Sequence, residues 1–187
     1  MRRALSVLTI AALAGAALTS GSTMAASAST VTNGAVHVSV YGDSSGVAST
    51  AVLTGAIGDN GTGDSIDANG TPDPSNNTEV LLALVQGSFR VSVVGLDKKI
   101  GSQFNSFRPN PRTCSGNLSA TASVPIVAGS GTGAYAGITG GFVLTFSLAY
   151  VGPKYGSGKQ LGQCNNSNSA SPVAEAMMVT GSGTVSY

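Results

Sequence analysis

The residues of this chain that could do chemistry are few. Cys114 and Cys164 are its only cysteines and His37 its only histidine. Two thiols beside one distant imidazole cannot make the usual four-ligand zinc site. A Ser-His-Asp triad would have to rest on His37 alone, and strand parity with Ser39 puts His37 on an outer face. The cysteines suit a disulfide of an exported protein, with free thiols as the other reading. Closing a loop with a sequence separation of 50 would stabilise the fold by about 4 kcal/mol in the chain-entropy model.

Three further groups of polar residues could form sites. Glu175 shares parity with Met177 and Val179, which points it inward. Burial would raise its pKa and suit it to general acid or base work; at the start of a strand near an open end it would simply be solvated. The segment 58–78 carries Asp59, Asn60, Asp64, Asp67, Asn69 and Asp73, oxygen ligands of the kind calcium takes. Asp59, Asp64 and Asp67 are the candidate ligands, although their spacing is not that of an EF-hand, and a solvated loop is the alternative. Lys98, Lys99, Arg108, Arg112, Lys154 and Lys159 fall in two other long connections, where they either pair across a rim or attract an anion.

These groups must be held by a chain of unusual composition. It has 187 residues, of which 9% are charged, against about 25% in an average soluble domain. Met1-Arg2-Arg3, an uncharged run from Ala4 to Leu18 and Ala26-Ser27-Ala28 read as a secretory signal ending near Ala28. The run of 15 residues is shorter than the roughly 20 of a membrane-spanning helix, and no later stretch is long and apolar enough for a transmembrane anchor. Residues 29–187 then hold seven basic and eight acidic side chains. That balance argues against a nucleic-acid partner, which needs a basic surface. One secreted domain is expected, from a bacterial source by its Ala-rich, Lys-poor leader, so that the Asn-x-Ser/Thr sequons at Asn60, Asn69, Asn76, Asn117 and Asn165 would stay bare.

Period two dominates residues 29–187. Val36, Val38 and Val40 share one face; so do Leu118, Ala120, Ala122, Val124 and Ile126, and Phe142, Leu144, Phe146, Leu148 and Tyr150. Such alternation marks strands with one buried side. Seven strands are expected at 36–41, 47–57, 79–85, 88–94, 117–127, 140–151 and 173–185, with Gln86-Gly87 as a hairpin turn and Lys99–Phe104 as the best candidate for an eighth. No window reads as an amphipathic helix. The fold class is all-β, an antiparallel β-barrel of seven to eight strands. Counting strand ends puts three long loops (58–78, 95–116, 152–172) at one end, with both cysteines among them. An extra strand inside a loop would upset that parity.

Between the fifth and sixth strands lies a glycine-rich stretch from Val127 to Gly141. No Lys-Ser/Thr and no helix follow it, so neither a P-loop nor a dinucleotide site is expected, and no cofactor is implied. Its glycines suit a sharp turn, and Tyr135 can plug that end of the core. Gly131, Thr132, Gly133, Tyr135, Gly137 and Gly140, with Ser130 in place of one glycine, resemble the turn motif of the allene oxide cyclase barrel-like family, relatives of plant allene oxide cyclases and dirigent proteins. Leu84, Gly87, Ser88 and Phe89 are a looser echo. The resemblance implies an eight-stranded antiparallel barrel with an apolar interior, often a homo-oligomer, and carries over no catalytic residue.

The leading expectation is therefore a secreted, non-catalytic binding module for a small apolar ligand or cell-envelope component. Its pocket would be lined by Phe89, Val91, Phe142, Leu144, Phe146, Leu148 and Tyr150, with a core packed full of side chains as the competing outcome. The alternative function is an isomerase or cyclase using Glu175 or Tyr150 inside the barrel. A purely structural envelope protein is the third.

Overall fold

The alternating segments form strands in the computed structural model, which describes residues 32–42, 49–72, 77–167 and 170–187. The expected signal segment lies outside these residues. The strands are β1 (Asn33–Gly42), β2 (Ser49–Gly55), β3 (Asp59–Ile66), β4 (Glu79–Leu84), β5 (Gly87–Ser92), β6 (Ser115–Pro125), β7 (Thr139–Val151) and β8 (Ala174–Ser186). One helix, α1 (Val94–Ser106), joins β5 to β6. All eight strands belong to one sheet in the order β5-β4-β3-β2-β1-β8-β7-β6, and every pairing in it is antiparallel. The all-β class holds.

The sheet curls into a half-barrel around the inward residues. Val36 and Val38, Ala51 and Leu53, Phe89 and Val91, Ala120 to Val124 at alternate positions, and Phe142 and Leu144 form one buried cluster. The outward partners on β6, from Asn117 to Pro125 at alternate positions, are all exposed. Burying one parity fixes the register, since a one-residue slip would turn each of these faces to solvent.

Three expectations need correction. The eighth strand is β3, inside the first long connection, and Lys99–Phe104 is helical. The helix buries only Leu96, with Ile100 partly packed; so narrow an apolar stripe leaves little periodicity to read. It lies along β6, where Lys99 Nζ donates to the Thr121 carbonyl at 2.6 Å. Finally, Leu84 pairs with Gly87, so the β4–β5 hairpin turns at Val85-Gln86, one residue before the expected place.

The added strand changes the parity count less than it could. Connections 67–78, 93–114 and 152–173 still share one end, because β3 crosses the sheet and returns within the first of them. Only the link between β1 and β2 moves to that end. Cys114 and Cys164 are joined there, with Cα atoms 5.4 Å apart.

The edge strands β5 and β6 meet through the glycine-rich stretch. Val91 bridges Ile126. Beyond it the Val127, Thr132 and Ala134 amides donate to the carbonyls of Arg90, Ser88 and Gln86 at 2.8–2.9 Å. In return the amides of Ser88 and Arg90 donate to Thr132 Oγ1 and Ser130 Oγ, each at 3.0 Å. The motif is thus a strap across the seam. Gly133 has φ +59°, and a Cβ there would collide with the Gln86 carbonyl, so the strap needs glycine at that point.

Candidate functional site

Inside the curl lies a cavity of about 180 Å³. Val38 and Val40 of β1, Val80 and Leu82 of β4, Val91 and Val93 after it, and Phe142, Leu144 and Phe146 of β7 supply its walls. Leu96 of α1 closes one side, and Gly42, Ser49, Ser65 and Met177 place its other limit at the loop-rich end. Among the described residues no lining residue is ionisable, and the Ser49 and Ser65 hydroxyls are the only side-chain polar groups there. The lining positions on β3 are Gly63 and Ser65, too small to fill the centre. A Cβ on Gly63 would rest 3.6–3.7 Å from Val40, Val80 and Leu82, in ordinary contact.

The expected pocket is therefore partly redrawn. Val91, Phe142, Leu144 and Phe146 line the cavity. Phe89 does not: it is fully buried, edge-on to Tyr135 with ring centres 5.6 Å apart, and belongs to the closed end. Leu148 is buried opposite Leu118, also away from the cavity. Tyr150 packs edge-on against Phe107 and, with its cross-strand neighbour Glu175, lines a shallow groove beside Ser115, Gly116 and Asn117. Inward parity alone does not put these two in the cavity, because they lie on the last turn of strand before the mouth.

The closed end is pinned by a buried polar pair, of which one member, Asp59, reads in the sequence as a calcium ligand. The Tyr135 hydroxyl donates to Asp59 Oδ2 at 2.6 Å. The Gln86 amide reaches the same oxygen at 3.0 Å, and the Asn60 amide donates to Oδ1 at 2.8 Å. Burial pushes the Asp59 carboxyl up, but the hydrogen bonds from Tyr135 and from the Gln86, Asn60 and Val85 amides outweigh it and hold the group below the usual carboxylate range. Burial, and then the bond to Asp59, raise Tyr135 well above the ordinary tyrosine value. Tyr187 completes the plug, its ring 5.3 Å from that of Tyr135 and its hydroxyl donating to the Ala56 carbonyl at 2.9 Å.

That placement removes the calcium reading. Asp59 starts β3 and Asp67 follows its last residue, about 25 Å away along an extended strand. Asp64 accepts from Thr62 Oγ1 at 3.2 Å, and Asp67 Oδ1 accepts from the Asn69 and Thr71 amides at 2.9 Å to close a turn. Three carboxylates spread along a strand cannot surround one ion. Asp73 and Asn76 lie outside the described residues. His37 is exposed on β1.

Ser130, the departure from the motif, has a definite task. Its hydroxyl donates to Val127 O at 2.6 Å while accepting from the Arg90 amide, which a glycine could not do.

Comparison of the chain with protein-family models, with curated proteins and with solved structures finds no match. No helix among the described residues is long and apolar enough to cross a membrane.

Proposed function

We propose that this chain is an exported, non-catalytic binding module that holds a small neutral apolar molecule inside its curled sheet. The observation that carries this reading is the cavity of about 180 Å³ walled by Val, Leu, Phe and Met side chains and reaching the loop-rich end. An apolar void of about 150 Å³ stays dry and takes up benzene, so a ligand of aromatic or short aliphatic character suits the volume. A charged ligand does not, since no lining group would offset its desolvation. Export is supported by the leader pattern at 1–28 and by the disulfide. The turn motif from Gly131 to Gly140 supports placing the chain with the allene oxide cyclase barrel-like proteins.

The same geometry weighs against a cyclase. Acid–base chemistry needs a proton donor or acceptor within hydrogen-bond reach of the substrate, and Glu175 and Tyr150 stand in the groove outside the cavity.

Calorimetric titration with benzene, toluene and hexanol, beside hexanoate and hexylamine, tests the reading. Saturable binding of the neutral compounds alone is expected, with a negative heat-capacity change. Equal binding of all five, or of none, would refute it.

A further inference from the structure

The positive charge of this chain is concentrated where the disulfide joins two connections. Segment 107–114 carries Arg108 and Arg112, segment 152–166 carries Lys154 and Lys159, and neither contains an Asp or Glu. All four cations are exposed. The two segments are tied into one unit. Cys114–Cys164 links them, and Lys154 Nζ donates to the Arg112 carbonyl at 2.8 Å. Lys154 bridges Cys164, and the Tyr155 and Gly162 amides donate to Gln163 O and Tyr155 O at 2.9 Å.

Among the described residues none of these four cations forms an ion pair. Arg108 donates to the carbonyls of Asn105 and Phe107, and Lys154 to that of Arg112, all neutral acceptors. The ion pair of the described residues, Arg90 with Glu79 at 2.9 Å, is on β5 and β4. Asp97 of α1 and Glu175, the acidic residues that flank the two segments in sequence, form no ion pair with these four cations among the described residues. Cross-rim pairing, one of the two roles open to these residues, is not seen among the described residues.

Next to Lys159 the same unit exposes an apolar side chain. Leu161 follows the short helical turn Gly158–Gln160 and is 67% exposed. An uncovered leucine two residues from Lys159, on cross-linked loops that also carry Arg108, Arg112 and Lys154, matches a surface with anionic headgroups above an acyl layer. A soluble polyanion would use the charges and leave the leucine in water.

We propose that the disulfide-joined loops dock the protein on an anionic phospholipid surface, with Arg112 and Lys159 at the headgroups and Leu161 entering the acyl boundary. The cavity reaches the same end of the sheet, but docking does not depend on its being filled.

The chain has no Trp, so L161W provides a single reporter at the tip. The probe is a vesicle of phosphatidylcholine with or without phosphatidylglycerol, at 0.1 M salt. Expected are co-sedimentation and a blue shift of the L161W emission with phosphatidylglycerol vesicles only, reversed at high salt. Each cation near the surface is worth about fivefold in affinity, so R112Q/K159Q should weaken binding roughly 25-fold. K159Q alone, at an exposed turn, should weaken it about fivefold. Failure to bind phosphatidylglycerol vesicles, or binding unchanged in both variants, overturns the proposal. So does full competition by soluble polyphosphate with no blue shift, which would assign the unit to a soluble polyanion.

Discussion

The Tyr135 hydroxyl and the Asp59 carboxylate meet at 2.6 Å across 76 residues of sequence. One belongs to the strap that closes the seam between β5 and β6, the other to the first residue of β3. Their bond ties the strap to β3, two strands in from the β5 edge, where Asp59 is buried.

Removing that bond should be costly. Y135F leaves a buried carboxylate without one of its donors, so a loss of about 1.5–3 kcal/mol is expected in urea unfolding at pH 7. The sign of the pH dependence follows from the lowered Asp59 pKa. A carboxyl held lower in the folded state stabilises it above the unfolded value, about 3.9, and that contribution is lost as pH falls through the folded value. The gap between wild type and Y135F should narrow in acid.

Asp97 should behave in the opposite sense. Its Oδ2 is buried without a hydrogen-bond partner among the described residues, and burial pushes its carboxyl up. Stability from this group is therefore lost as pH rises from the ordinary carboxylate range through the folded pKa, and stays lost above it. D97N should melt higher than wild type at pH 7, with the difference vanishing in acid. A lower melting temperature at both extremes would contradict this account of Asp97.

Much of this architecture could be read from residue order. β1, β6 and β7 alternate because one side is apolar and the other is mostly small or polar, as in Ser119, Thr121 and Ser123 of β6. β3 could not be read: its sequence, DNGTGDSI, has no apolar alternation, and pairing with β2 and β4 on both sides makes it a strand. Two of the same small residues, Gly63 and Ser65, line the cavity. Asp59 looked like a calcium ligand for a related reason. Nothing local distinguishes a loop carboxylate from one that will meet Tyr135.

Two glycine substitutions should separate void from strap. G63A adds a methyl that the cavity accepts, so a gain of about 0.5–1 kcal/mol from reduced backbone freedom is expected, together with weaker binding of toluene. G133A forces a left-handed residue against the Gln86 carbonyl and should cost more than about 2 kcal/mol. Chemical denaturation of both variants checks the contrast; equal effects would mean the strap tolerates a side chain.

Reducing the disulfide should lower stability by about 4 kcal/mol, the loop-closure value for its separation of 50. Denaturation with and without reductant measures it. An unchanged midpoint would show that the loops are held without the bond.

The most direct test of the central claim is a crystal of the protein under xenon pressure. Xenon enters apolar voids of this size without needing polar partners. We expect one strong site between Val80, Leu82, Phe146 and Val179, abolished or displaced in G63A. Density showing those side chains packed against one another with no xenon would mean the centre is filled, and the binding module would have nowhere to hold its ligand.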